Sequence, residues 1–491
     1  MALGTARIQG APCCGRSIRA AIRLLCLAGG VAVAEMPEDI VRVGAGSYRT
    51  VPPDPGRTLP AEIRRTDRDA GPVPTNDWCS SLLWEPFSQN QFPHPGAVRA
   101  TPEGLKVWYP GTAPVASERA VVGPVRTDLV IGLAEEGAFT DARRDGGGDR
   151  FVFAAFAGAE GRTLNVSYGH GSPYVYTGAR NGTVAIRFPA VPAVVHRSDD
   201  GSRLGVRVNG ASYGLFAPQG RRWRVEDGQV FTCGPGTPGP VVAWLPDGAP
   251  ETFRRFAECA GSRVLGTRAS LLYDRRSGIV TTEFVSGAAV GTETGQRTIL
   301  ALYPHQWART DAALLPGEYR TVRGPMKMVE GTGFRVRMRF PGLMPEIPVV
   351  EQGDRDRLRT LLREGMAAVG GHAPDTYWDG KNLLDRCLLL SLAEQLGERD
   401  SAADLLDSVR NRLEDWLRVD GDPASDRHFY YDAAWGTLVG HEASYGSDTE
   451  LNDHHFHYGY FLRAAAEVAR RLPDWGRPEA WGGAVSLLAR D

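Results

Sequence analysis

The stretch G-S-D-T-E-L-N-D-H-H-F-H-Y-G-Y-F, Gly446 to Phe461, sets three histidines and three acidic residues within about four turns of an expected helix. At ~100° per residue, Asp453, His457, Phe461, Ala464 and Val468 share about a quarter of the helix circumference. Arg463, Glu467 and Arg470 fall on another face. Asp453 and His457 are thus expected one turn apart, on a side shared with core residues. Partial burial would raise the carboxyl pKa toward the range that a general acid needs near neutrality. His457 could bond Asp453 or a substrate hydroxyl.

Three chemistries fit this pattern. His454, His455 and His457 could ligate a metal, but residues one and three apart do not share a helix face with metal geometry. Only Asp453 and His457 have i, i+4 spacing, so no metal is expected. The same residues could form a satisfied polar network that only orients the helix. Five of the ten histidines, however, fall between 428 and 457, accompanied by Phe429, Tyr430, Tyr431, Trp435, Tyr445, Tyr458 and Tyr460. Aromatic faces beside carboxylates and histidines suit a sugar groove, so the third chemistry is glycan cleavage with Asp453 as acid.

Around this segment the period is helical. Leu358, Leu361 and Leu362 are spaced i, i+3, i+4, and Leu384, Leu388 and Leu392 are spaced i, i+4, i+8, with Gly397 as a stop. Asp400 can cap a helix that buries Leu405, Leu406, Val409, Leu413 and Trp416. The chain after Pro348 therefore reads as all-α, built from helical hairpins, with room for about five helices. From 75 to 345 the period is two instead. Thr163-Leu164-Asn165-Val166-Ser167-Tyr168 alternates, and Asp199-Asp200-Gly201 and Asn209-Gly210 mark turns. Short alternating strands with close turn signals predict a β-sandwich, bounded near 345–353.

The 491 residues exceed what one core usually serves, so more than one domain is expected. A net charge of −2 without a basic run argues against a nucleic-acid partner. Arg16, Arg19 and Arg23 precede the apolar run Leu24 to Ala34, which ends in Ala32-Val33-Ala34. That pattern reads as a secretory signal over 1–34 and is too short to span a bilayer, so a secreted protein without a membrane anchor is expected. Cys79, Cys233, Cys259 and Cys387 would remain after cleavage, none in C-x-x-C spacing, and Cys387 reads as a core thiol.

Y-Y-D-A-A-W-G (Tyr430–Gly436) followed by Y-G-S-D-T-E-L-N-D-H-H-F-H-Y-G-Y-F (Tyr445–Phe461) closely resembles the signature of glycoside hydrolase family 81, the endo-β-1,3-glucanases or laminarinases. T-N-D-W-C-S-S-L-L-W (Thr75–Trp84), G-S-P-Y-V (Gly171–Val175), L-Y-P-H-Q-W (Leu302–Trp307), R-G-P-M-K (Arg323–Lys327) and Y-W-D-G-K (Tyr377–Lys381) also look familial. The resemblance covers roughly residues 75 to 491.

The resemblance implies a multidomain β + α chain: an N-terminal β-sandwich over 75–345 with a small α/β linker near its end, then an (α/α)6 barrel. It is expected that only the first part of that barrel lies in 346–491, and that 35–74 is an N-terminal extension. The resemblance also implies hydrolysis of internal bonds in β-1,3-glucan with inversion and without cofactor. It makes Asp453 the general acid and puts His457 in the active site. Tyr430, Tyr431, Trp435, Asp448, His454, His455 and Tyr458 are expected to meet substrate, and the protein is expected to be a monomer.

The family's general base is a Glu in a later pattern, N-Q-E-S-x-S-E, that these 491 residues do not contain. A truncated family member is therefore expected. Inversion needs two carboxyl groups ~6.5–9.5 Å apart with water between. Glu442, Asp448 and Glu450 are the nearest candidates in sequence, but a neighbour on the acid's own helical turn cannot face it across a sugar ring. A chain that binds β-1,3-glucan without cutting it is the alternative. A polysaccharide lyase fits less well, because no basic cluster is present to neutralise uronate.

Overall fold

The computed structural model describes residues 38–491 apart from 54–58, 60–61, 70–73, 75–76, 149, 288–296, 341, 343–345, 350 and 420–426. The expected signal at 1–34 lies outside the described residues, as do Thr75 and Asn76 of the T-N-D-W motif.

The period-two segments form two antiparallel sheets. One has eight strands, including Thr163–Gly169, Tyr174–Arg180, Arg203–Val208 and Ala211–Phe216. The other has six, including Ala97–Thr101, Gly104–Trp108 and Val184–Arg187. In Thr163–Gly169, Leu164, Val166 and Tyr168 are buried while Thr163, Asn165 and Ser167 are half-buried, as alternation requires. Leu164 and Leu204 of the first sheet and Leu105 and Ile186 of the second enter one apolar core, which is the sandwich interior. The Asn209-Gly210 turn takes φ 49° and 78°, the left-handed pair that a two-residue hairpin needs.

Beyond the sandwich lies a layer whose composition was not legible from periodicity. Helix Pro250–Cys259 packs Phe256 and Cys259 into the sandwich core. Strands Thr298–Leu302, Gly324–Gly331 and Leu315–Thr321 make a three-stranded sheet with two covered faces. Ile299, Ala301, Tyr319 and Met328 face the main core, whereas Leu300, Leu302 and Val329 cluster with Phe334 and Val336 of the next sheet.

The C-terminal part holds helices Gln352–Ala368, Thr376–Leu396, Arg399–Trp416, His454–Arg471 and Gly483–Arg490. The all-α expectation is corrected here. His428–Asp432 and Thr437–His441 form a β-hairpin, and Ile40–Val43 with Gly46–Arg49 completes a four-stranded sheet by a parallel contact at Arg49 and Tyr430. In the D-A-A-W-G turn, Asp432 Oδ1 accepts the amides of Ala434 and Trp435, and Gly436 takes φ 70°. Residues 40–49 are thus part of the C-terminal fold: Ser47 N–H donates to Leu417 O and Ala45 N–H to Ala480 O.

The buried face of Thr376–Leu396 is also turned by one residue from the expected stripe. Leu383, Cys387 and Leu390 are buried, while Leu388 is 57% exposed. Leucines occupy nearly every side of this helix, so periodicity could not choose among them. Gly397 stops it as expected, with φ 78°. The next helix is capped at Glu398, leaving Asp400 in its first turn. Cys79, Cys233, Cys259 and Cys387 are buried free thiols. No helix among the described residues is long and apolar enough to cross a membrane.

Candidate active site

Asp453 precedes the helix His454–Arg471 and is not part of it. Its φ is 56°, and its carbonyl accepts the amides of Phe456 and His457. The expected placement of Asp453 on the helical face is therefore corrected: it is the N-cap, and its carboxylate does not cap. Asn452 Nδ2 lies 3.4 Å from Asp453 Oδ2. The loop entering the helix also holds Tyr445 and Leu451 with φ 55°. Three left-handed non-glycine residues in nine mark a backbone shaped by its surroundings, and Asp tolerates that conformation better than most residues.

His457 is fully buried, with Nδ1 2.9 Å from Thr376 Oγ1. Its Nε2 is buried without a hydrogen-bond partner among the described residues. Burial, then neighbouring His454, pulls its pKa below the ordinary value, while Asp453 and Asp375 oppose that shift. The imidazole is therefore neutral at neutral pH, and its Nε2 is enclosed among protein atoms.

Aromatic rings surround it. Tyr377 lies 5.4 Å from the His457 ring and 4.8 Å from Tyr445, and it stacks with Phe456 at 6.2 Å. Trp378, Tyr445 and Phe456 are each about half exposed, at 48%, 53% and 50%. Lys381 Nζ stands over Tyr377 and Trp378 at 5.3 and 4.9 Å. Asp375 holds these rings in place by accepting the amides of Tyr377 and Trp378 on Oδ1, both at 2.9 Å.

The Y-W-D-G-K motif thus divides its labour. Tyr377, Trp378 and Lys381 face the site. Asp379 is fully buried, accepting Trp416 Nε1 at 2.6 Å and pairing with Arg412 at 3.2 Å. Gly380 lets Tyr460 approach, since a Cβ there would come within 2.8 Å of that ring. The motif was visible in the sequence, but its role at the site was not.

Several expected substrate contacts lie elsewhere. Tyr430 and Trp435 are buried with Leu59, Leu83, Val439 and Leu451, so they pack the hairpin rather than line a groove. Tyr458 is 2% exposed and donates its hydroxyl to Leu438 O. His454 is fully buried, its Nε2 2.7 Å from Ser447 O and its Nδ1 2.8 Å from Asp491 Oδ2. Asp448 is also buried. These five side chains are buried among protein groups. Tyr431 is half-buried against Tyr48, and His455 is exposed. Glu442 and Glu450 are exposed. Among the described residues no group of three or more His, Cys, Asp or Glu is arranged to hold a metal. The arrangement sets the half-buried Asp453 carboxyl group, a neutral imidazole and aromatic faces side by side.

Residues 359–491 match the Glycosyl hydrolase family 81 C-terminal domain. Glucan endo-1,3-beta-D-glucosidase of Thermobifida fusca is 38% identical over 467 residues, covering 92% of this chain and 60% of that protein. The protein of the same name from Acetivibrio thermocellus is 38% identical over 443 residues, covering 89% and 57%. A solved structure of a glycoside hydrolase family 81 protein from Clostridium thermocellum superposes with a TM-score of 0.83 at 38% identity, covering 92% of this chain and 63% of that one. The chain therefore spans about three fifths of the length of these relatives.

Proposed function

We propose that this chain, similar over most of its length to glycoside hydrolase family 81 proteins, is a member of that family that binds β-1,3-glucan and serves hydrolysis of its internal bonds, with Asp453 as general acid. The observation that carries this reading is the group of half-exposed aromatic rings around His457, one turn from a carboxyl group that does not cap its helix. Pyranose C–H faces lie on such rings.

Inversion is part of the proposal. Asp453 protonates the departing glycosidic oxygen while a second carboxylate activates water on the opposite face of the ring. The pattern that the resemblance assigns to that base does not occur in these 491 residues, and Glu442 and Glu450 lie in the acid's own loop. We therefore assign the base to the part of the relatives' length that this chain does not span. By itself the chain is then a glucan-binding unit carrying the acid half of the site. Export through the 1–34 segment belongs to the same proposal, and N-terminal sequencing of protein recovered from medium tests it.

The test is reducing-end release from linear β-1,3-glucan, alongside binding to the same polymer. Binding without release supports the acid-half reading. Release that Asp453→Asn lowers by about 10²–10⁴-fold would assign the base to these residues instead, with Glu450 and Glu442 the next to replace. Release unaffected by Asp453→Asn would remove Asp453 from the chemistry.

A further inference from the structure

Three of the quoted motifs are not used by the Asp453 site, yet the fold brings them together beside His94 and His170. Trp78 lies edge-on to His170, with ring centroids 4.8 Å apart. His170 Nδ1 is 3.0 Å from Pro93 O and 3.1 Å from the Tyr303 hydroxyl, which is 3.2 Å from His94 Nδ1. A carbonyl only accepts, so His170 carries its proton on Nδ1, and the Tyr303 hydroxyl is left to donate to His94. Outward of Tyr303, the His305 ring lies parallel to it, 8° off at 6.0 Å, and the Arg323 guanidinium stands 5.7 Å over it. Beside them, Lys327 Nζ is 4.1 Å over Trp307. His305 and Arg323 are exposed.

Packing alone does not account for this cluster. Burial, with Arg323 adding to it, pushes His94 down to about 4, and burial pushes His170 down to about 4 as well. Two rings are thus kept neutral where apolar side chains would fill the space without that penalty. Among the described residues Arg323 and Lys327 make no ion pair; their partners are aromatic rings. Neutral imidazoles, aromatic faces and fixed N–H donors match the hydroxyls and C–H faces of an uncharged sugar.

Residues Trp78 to Leu83 join this cluster to the loop that carries Asp453. Trp78 touches His170, and Leu83, at the end of the short turn Ser80–Leu83, shares a buried cluster with Leu451, two residues before Asp453.

Resting on the glucan reading above, we propose that His305, Trp307, Arg323 and Lys327, held in place by Tyr303, form a second β-1,3-glucan-binding surface on the strand-rich part. It grips the polymer at a distance from Asp453.

The full chain is titrated with long linear β-1,3-glucan, with a β-1,3-linked trisaccharide, and with polygalacturonate. Arg323→Gln/Lys327→Gln should weaken binding of the long glucan roughly tenfold, leave the trisaccharide within about twofold, and keep the thermal melt unchanged. If the double variant is unstable, Arg323→Gln alone, at an exposed position, should act in the same direction. Unchanged affinity for the long glucan would overturn the proposal, as would equal losses for long and short ligands. Polygalacturonate bound in place of glucan and released by these substitutions would overturn the neutral-sugar assignment. An unaltered chain that binds no β-1,3-glucan of any length would remove the glucan reading itself, a result distinct from one in which only the substitutions are silent.

Discussion

At Asp453 the backbone conformation and the chemistry are linked. A helical aspartate would share a face with Phe461 and Val468; the left-handed N-cap instead turns it out of the helix while its carbonyl still opens the first turn. Asn tolerates the same conformation, so Asp453→Asn should leave stability within about 0.5 kcal/mol in urea unfolding, which makes any loss of hydrolysis chemical in origin. Asp379 is the contrasting carboxylate. It is fully buried between Arg412 and Trp416, and burial lowers the Arg412 pKa to about 10 despite that partner. Asp379→Asn leaves the guanidinium buried without its counter-charge and should cost about 3–5 kcal/mol in the same measurement. Unfolding at the parent urea midpoint would show that Arg412 had found solvent or another partner.

Among the elements, the helix Thr376–Leu396 does most to build the site, because its first turn carries the rings and its interior carries Asp379. Asp375 satisfies two otherwise orphaned amides there. Asp375→Ala should lower stability by about 1 kcal/mol and loosen the Tyr377–Trp378 platform, so glucan affinity should fall as well. Loss of stability with full affinity would show that the rings are held by Lys381 and Tyr445 instead. The hairpin His428–Asp432/Thr437–His441 plays a supporting part. Its Tyr430 and Trp435 face inward, and its edge pairs with a strand from the beginning of the chain.

Across the whole molecule, the strand-rich part carries an acid-sensitive feature far in sequence from Asp453. His94 and His170 titrate at about 4 when folded, against 6.5 ordinarily. Below pH 6.5 the unfolded chain binds more protons than the folded one, so stability falls as pH drops toward 4 and levels off below it. Each imidazole contributes up to about 3 kcal/mol of that loss. Replacing His94 with Gln should flatten the decline of the melting temperature between pH 6.5 and 4, and an unchanged slope would assign the acid response to other groups. Arg150 and Arg323 face the same cluster and stay cationic over this range, so the imidazoles set the slope.

Local chemistry alone determined much of this protein. Period-two burial, the Asn209-Gly210 turn and the Gly397 stop each depend on neighbours within a few residues, so they are legible in the chain. The N-D-H-H-F-H string likewise marked where the carboxylate and the imidazole would lie. Tertiary structure decided which face of a leucine-rich helix is inside, since several faces were equally apolar. It also decided that Asp453 caps rather than joins its helix, and that residues 40–49 pair with a hairpin nearly 400 positions away. Those outcomes depend on partners remote in sequence, whose approach is settled only when whole elements pack. The same holds for the site. Tyr430, Trp435, His454 and Tyr458 carry groups suited to sugar but are drawn into the core, while Tyr377 and Trp378, about eighty residues from His457, supply the exposed rings.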